Sequence, residues 1–251
     1  MASTIFSTRF AEKIPRAGDI VSFRFERPDD YRYTAGQWHV VTIPATPEPL
    51  THHFTHSSSP TEPYLEFTTR MRGTEFKNAL DALAPGTLVE MEGPYGTFTL
   101  DAAMSDGAGA AMNGAPEGRR RPLVFITGGI GITPVRSMLR WQMDSGVTWP
   151  AVLLYANSGE DAIAFREELD TMMEVLPRLR VVYVVSRPSP AWIGRQGHID
   201  ADLLGEELDD IAVPMYYVSG PPSMVQSLRD ILVGQGVDRE SIKTERFEGY
   251  E

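Results

Sequence analysis

Thr127-Gly-Gly-Ile-Gly-Ile-Thr-Pro134 sets three glycines between an apolar run and a stretch with helical spacing. At such a junction the missing side chains let backbone amides approach a pyrophosphate at a helix N-terminus. The usual dinucleotide fingerprint is not met, because Pro134 stands where its third glycine belongs. The next apolar run ends in Asn157-Ser158, with no acidic residue for a ribose hydroxyl, which disfavours an ordinary Rossmann dehydrogenase. The competing reading is a glycine turn that only packs a helix on a strand. A second loop of the same kind, Ser219-Gly-Pro-Pro-Ser-Met224, also follows an apolar run and precedes a helical pattern. Two such loops at strand C-termini outline a crevice.

Thr51-His-His-Phe-Thr-His-Ser-Ser-Ser59 is dense in imidazoles and small hydroxyls. Its three histidines, His52, His53 and His56, raise a metal site, but in a strand His52 and His53 point to opposite faces. Only His52 and His56 could converge, and no further cluster supplies the remaining ligands, so no metal is expected. The other reading uses Phe54 as a flat stacking surface and Thr55 and Ser58 as hydrogen-bonding groups for a polar aromatic ligand.

Elements to position these residues are visible in the periodicity. From Thr4 to about Thr99 short alternating runs are punctuated by Pro, Gly and Asp, as an antiparallel β-barrel requires. One stretch departs from the two-residue period: Thr74 is a good N-cap after Gly73, and Phe76, Leu80 and Leu83 fall at helical spacing. Residues 101–121, rich in Ala, Gly and Met, read as a linker. Beyond it apolar runs alternate with amphipathic helices. Strands are predicted at Leu123–Thr127, Val152–Ala156, Val181–Ser186 and Met215–Ser219, with helices at Pro134–Met143, Ala162–Val175, Ala201–Leu208 and Ser223–Val233. The chain thus reads as a β-barrel over 1–100, a linker over 101–121, and a parallel-sheet α/β domain over 122–251.

Composition narrows the function. The 251 residues carry a net charge of −11, which argues against a nucleic-acid binder with a broad basic surface. Nine basic and twelve acidic residues fall within 1–100, against fourteen and twenty-two afterwards, so the first part is the less negative. The chain has no cysteine, which excludes disulfides and cysteine-ligated iron-sulfur clusters within it. No uncharged run reaches the roughly 20 residues a membrane helix needs, and no secretory signal is visible. Membrane insertion is not expected, and a cytoplasmic location is the default.

An ordered set of motifs then resembles the ferredoxin-NADP reductase superfamily, in its short form without an iron-sulfur domain, over nearly the whole chain. The set is Tyr33-Thr-Ala-Gly-Gln37, His52-x-Phe54-Thr55-x-x-Ser58, Gly93-Pro-Tyr-Gly96, the Gly128 loop, the Ser219 loop and Phe247-Glu-Gly-Tyr250. The resemblance implies a barrel that binds FAD and an α/β domain that binds NAD(P)H. It implies that Phe54 packs on the isoalloxazine, that Thr55 hydrogen-bonds near flavin N5 and that Ser58 supports the loop. Gly73 and Thr74 would meet the FAD pyrophosphate. Gly128, Gly129, Gly131 and Thr133 would hold the pyrophosphate of the nicotinamide cofactor, with Gly220 and Pro221 nearer its nicotinamide end. Catalytic positions fall on Thr55, Ser219 and Glu245. Glu245, Phe247 and Tyr250 lie in the terminal segment that covers the flavin in this family; the alternative there is a terminal strand with packed aromatics.

Three departures from the family pattern matter. His52 replaces an arginine that pairs with flavin phosphate, so Arg70 and Arg72 are expected to supply charge. Ser219 replaces a cysteine near the hydride path, and Phe54 replaces the commoner tyrosine. Ser186-Arg187, with Arg195 near by, suits a 2′-phosphate and tilts the donor expectation from NADH towards NADPH. The expected activity is hydride transfer from NAD(P)H to FAD, with electrons passed to a separate redox carrier such as a ferredoxin, flavodoxin or oxygenase component. The alternatives are a stand-alone reductase of ferric chelates or quinones and a flavin-binding regulatory subunit without turnover.

Overall fold

The computed structural model describes residues 3–100, 121–147 and 149–247. Most of the predicted linker and Tyr250 therefore lie outside the described residues. The chain forms two compact units: Met1–Thr99 with Thr133–Ser145, and Leu100–Ile132 with Gly146–Glu251.

The first unit contains six strands, β1 (Thr4–Ala17), β2 (Ile20–Glu26), β3 (Trp38–Ile43), β4 (Leu50–Thr55), β5 (Tyr64–Arg70) and β6 (Leu88–Tyr95), with helix α1 (Glu75–Asp81) after β5. All pair antiparallel in the order β4-β3-β6-β1-β2-β5. The two edge strands approach each other at the isolated bridge His56–Phe67, which brings the sheet round on itself. Burial follows the pleat: along β3 each half-buried residue is followed by a buried one, ending at Val41 and Ile43. The core they enter holds Phe10, Phe23, Phe25, Leu65, Phe67 and Met91, and it is closed by Phe76 and Leu80 of α1. Thr74 caps α1 as expected, its side chain accepting from Lys77 N–H.

The second unit has six strands in parallel, β7 (Leu123–Gly128), β8 (Ala151–Asn157), β9 (Leu179–Val185), β10 (Arg195–Gln196), β11 (Met215–Gly220) and β12 (Ile242–Arg246). Their order is β10-β9-β8-β7-β11-β12. The chain steps outward from β7 to β10 and then returns to β11 on the other side of β7. The order therefore reverses between β7 and β11, where parallel sheets open a crevice. Helix α2 (Ile132–Ser145) follows β7 but from Thr133 on groups with the first unit, and the helices of the second unit are α3 (Arg166–Val175), α4 (Ala201–Glu207) and α5 (Pro222–Gly234). Leu203 and Leu204 of α4, with Val225, Leu228 and Leu232 of α5, cover Val124, Ile126, Leu154, Val184 and Val218 on one sheet face.

Two sequence boundaries move. The helix predicted from Ala162 begins at Arg166, because Phe165 takes a positive φ of 61° and the preceding residues form only a 3-10 turn. The helix predicted at Pro134–Met143 starts at Ile132, with Pro134 in its first turn, where a missing N–H costs nothing. It also groups with the barrel rather than with the 122–251 stretch, because its Arg136 and Ser137 side chains donate to the carbonyls of Ser57 and Ser58. No helix among the described residues is long and apolar enough to cross a membrane.

Candidate functional site

The end of β4 carries the first cluster. In the β3–β4 register Phe54 lies opposite His39 and Thr55 opposite Trp38. Directly opposed residues share a sheet face, so Phe54 points the same way as the core residues Val41 and Ile43. It is 7% exposed and stacks on Phe67 at 4.1 Å with 9° between the planes, while Phe76 lies 5.6 Å away. The expectation of an open stacking face is thereby corrected: Phe54 is wall of the barrel. The partly exposed rings here are Trp38 and Tyr95, 4.7 Å apart, with His53 edge-on to Trp38 at 5.6 Å. Sequence reasoning passed over them, although Tyr95 lies in the Gly93-Pro-Tyr-Gly96 motif. Thr55 is buried on their side of the strand.

The residues after Thr55 are fixed from several directions. Ser57 and Ser58 donate their N–H groups to the Glu66 carbonyl, and Ser58 Oγ accepts from Glu66 N–H and pairs with the Tyr33 hydroxyl at 2.9 Å. Ser58 thus sits where a loop support is needed. His56 turns into the barrel core, stacked between Tyr33 at 4.0 Å and His39 at 4.1 Å, with Tyr31 Oη 3.2 Å from its Nε2. Both histidines are fully buried, and among the described residues neither nitrogen of His39 has a hydrogen-bond partner. Burial pushes His39 down to about 3 and holds His56 well below its usual value. His52 is far from this stack: it lies on Phe54 at 4.9 Å, so His52 and His56 do not converge. Among the described residues no group of three or more side chains could hold a metal.

A cationic cluster lies beside the α1 cap. Arg70 pairs with Asp19 at 3.2 Å, and Lys77 reaches back to the Arg70 carbonyl at 2.7 Å. Burial lowers the Lys77 pKa, and the neighbouring Arg72 and Arg70 charges lower it further. His52 is lowered as well, by burial first and then by His53 and Lys77, against its own bond to the His53 carbonyl. With its pKa lowered, His52 is a weaker cation than an arginine would be, and the other cations on this side are Arg70, Arg72 and Lys77. Lys77 was not foreseen; its position three residues after the N-cap was the available signal. These cations, with the Gly73-Thr74 turn, fit a diphosphate.

In the second unit both glycine loops lie at the switch point between β7 and β11. Gly131 packs backbone to backbone on the other loop: a Cβ there would fall 2.3 Å from the Ser219 carbonyl oxygen. Ser219 Oγ donates to the Gly131 carbonyl at 2.7 Å and latches the pair. Gly128 abuts Met224 and Pro221. The packing explanation therefore holds for Gly128 and Gly131. Gly129 differs, since its φ is +53° and nothing among the described residues lies within 4 Å of where its Cβ would stand. Tyr155 Oη donates to the Gly129 carbonyl at 3.1 Å and so steadies the turn, while Thr133 is buried in the first turn of α2. Gly220 ends β11, and Pro221 precedes α5.

Glu245 stands opposite Ser219 in the β11–β12 register and is half-buried. Phe247 N–H donates to the Gly220 carbonyl at 3.0 Å, so the chain from Ile242 to Phe247 runs beside the second loop. Ser186 and Arg187 follow β9, anchored by N–H bonds to the carbonyls of Asn157 and Ser158, and the Arg187 side chain is exposed. Arg195 lies in β10, opposite Val184 of β9, and its side chain is tied to Glu206 and to Glu207, each at 2.7 Å.

Family models for an oxidoreductase FAD-binding domain and an oxidoreductase NAD-binding domain match residues 8–100 and 125–230. The chain is 28% identical to ferredoxin--NADP reductase B of Sorangium cellulosum (strain So ce56), covering 97% of this chain and 98% of that protein. It is 26% identical to the stachydrine N-demethylase reductase subunit Stc4 of Rhizobium meliloti (strain 1021), a longer protein of which it spans 64%. A solved ferredoxin NADP+ reductase from Neisseria gonorrhoeae with bound FAD and NADP superposes with a TM-score of 0.78 at 17% identity, over 96% of this chain and 98% of that one. That last likeness is one of fold.

Proposed function

The chain belongs to the ferredoxin-NADP reductase superfamily and is an FAD- and NAD(P)-binding oxidoreductase, and from that premise we propose that it takes hydride from NAD(P)H onto FAD and passes electrons to a separate redox-carrier protein. One observation carries the reading: a single chain holds a cationic cluster suited to one diphosphate and, at a parallel-sheet switch point, a glycine turn open to another. FAD, when bound, supplies a hydride acceptor that can release electrons singly or in pairs.

The side chains orient the reactants. Arg70, Arg72 and Lys77 neutralise the FAD diphosphate, beside the Gly73-Thr74 turn. Thr55 places its hydroxyl at the flavin edge, Trp38 and Tyr95 offer the aromatic surface that Phe54 does not, and Glu66, Ser58 and Tyr33 hold the segment behind Thr55 still. In the second unit Gly129 leaves room for the nicotinamide cofactor's diphosphate, and Ser219 keeps the neighbouring loop latched. With a hydroxyl engaged in that bond, Ser219 acts on loop geometry, and Glu245 stands opposite it on β12 as an acid at the strand end. Arg187, exposed past β9, is the residue placed to read a 2′-phosphate, which favours NADPH over NADH.

The acceptor fits an acidic carrier docking on the less negative first unit. The names of relatives such as the stachydrine N-demethylase reductase subunit point to an oxygenase component or ferredoxin. Anaerobic addition of NADPH or NADH to the purified flavoprotein should bleach the flavin absorbance, and adding a ferredoxin should then restore it. Flavin that neither coenzyme bleaches would overturn the assignment. Reoxidation by ferric chelates but by no protein carrier would favour the stand-alone reductase.

A further inference from the structure

Arg136 is 2% exposed and Glu62 4%, and they form an ion pair more complete than packing alone requires. Both terminal nitrogens of Arg136 donate to the Glu62 carboxylate, Nη2 to Oε1 at 2.9 Å. The same carboxylate accepts from Ser59 N–H at 2.6 Å and from the Tyr64 hydroxyl at 2.6 Å, so four donors converge on its two oxygens. Arg136 also donates to the Ser57 carbonyl at 2.9 Å, and its neighbour Ser137 donates to the Ser58 carbonyl at 2.6 Å. On the far side Arg27 donates to the carbonyls of Pro60 and Glu62, at 2.6 and 2.9 Å. The whole segment 57–62 is thereby held rigid, and it begins two residues after Thr55.

We propose that Arg136 and Glu62 form a positioning pair for hydride transfer: by holding the backbone of Ser57–Ser59 they set where the Thr55 hydroxyl stands. Charges are costly to bury, and an apolar pair of similar volume would serve stability as well or better. What an apolar pair lacks is direction. A bidentate guanidinium fixes the carboxylate plane and leaves a donor aimed at one backbone carbonyl, which a lysine, with a point charge, cannot reproduce. Arg136 lies five residues past Gly131, so the helix that grips this segment is continuous in the chain with the glycine turn assigned to the nicotinamide cofactor. The inference rests on the proposed flavin reduction.

The test is stopped-flow reduction of the FAD-loaded protein by NADPH and NADH, with thermal unfolding read in parallel. Variants are Arg136→Lys, Glu62→Gln and the double replacement Arg136→Met with Glu62→Leu. The limiting reduction rate should fall by about 30- to 100-fold in each, as a misplacement of about 1 Å allows, while the half-saturating coenzyme concentration changes by less than about twofold. The double variant should regain the wild-type unfolding temperature and still reduce slowly, which separates positioning from folding. Wild-type rates in Arg136→Lys and Glu62→Gln, or recovery of rate together with stability in the double variant, would overturn the proposal. Wild-type protein whose flavin neither coenzyme reduces would instead remove the function itself, and the pair's role with it.

Discussion

Replacing His39 with phenylalanine should reduce the acid sensitivity of this protein. His39 and His56 are fully buried and stacked face to face, and the groups around them, Tyr31, Tyr33 and Phe67, provide no anion to stabilise an imidazolium. Arg27 adds a positive charge felt by His56. Both rings are therefore neutral in the folded state, His39 down to a pH of about 3. An unfolded histidine titrates near 6.5, so as pH falls the unfolded chain takes up protons that the folded one refuses. The stabilising effect of neutrality is complete above about pH 6.5, shrinks as pH falls below it, and is exhausted near pH 3 for His39. At pH 5 the loss from His39 is about 2 kcal/mol, a sizeable share of the roughly 5–15 kcal/mol that stabilises a domain, and His56 contributes with the same sign.

Urea unfolding of wild type and His39→Phe at pH 7 and pH 5 measures the difference directly. Across that interval the variant should lose about 2 kcal/mol less than wild type. At pH 7 the variant should be no less stable, since it removes two buried nitrogens that have no partner among the described residues. His52 shares the sign of the effect and cancels between the two proteins. Glu62 does not intrude: burial alone would raise it, but the bonds from Arg136 hold it below its usual range. Its contribution is present above the unfolded carboxylate value and is lost only below about pH 4.5. Equal pH dependence in the two proteins would refute the reasoning and show that His39 is protonated or hydrated in the fold.

Heat-released flavin should chromatograph as FAD, because the Arg70, Arg72 and Lys77 cluster suits a diphosphate; FMN alone would contradict that site. Lys77→Met should weaken FAD binding by about 10- to 100-fold, one charged hydrogen bond of about 1.5–3 kcal/mol, measured by flavin fluorescence titration. Thr55→Val should slow flavin reduction more than it weakens coenzyme binding, and unaffected stopped-flow traces would make the hydroxyl structural. Arg187→Ala should lower kcat/KM for NADPH by about one to two orders of magnitude and leave NADH nearly unchanged, whereas Arg195→Ala should affect both donors little.

What was legible in the sequence was what short-range periodicity encodes. The alternation in Trp38–Ile43, the uninterrupted apolar run from Leu123, and Thr74 as an N-cap all lie within one element, and each was found within a residue or two. Strands β10 and β12 escaped the count of strands, though the C-terminal segment had been weighed as one. Two residues make no period, and Ile242-Lys-Thr-Glu-Arg246 is a polar strand paired on one side only. The departure of α2 from the domain boundary was invisible because it is made by partners 74 to 79 residues apart, Arg136 with Glu62 and Ser137 with Ser58.

The same divide runs through the site. Spacing could say that His52 and Phe54 share a strand face, and they do; which face depends on the partner strand, and only the pairing of Phe54 with His39 turns it to the core. Arg195 had the right chemistry for a phosphate, but Glu206 and Glu207, eleven and twelve residues on, hold it in ion pairs. Glycines behaved in the opposite way. Their place at the strand ends is as the sequence implies, yet the reason differs within one motif: Gly131 is needed because Ser219 backbone occupies the space of a side chain, and Gly129 because the chain bends there at a positive φ with no described residue against it. Replacing Gly129 with alanine therefore tests ligand approach, apart from the modest backbone strain of a positive φ, whereas Gly131→Ala must force two loops apart and would lower stability before any coenzyme is added.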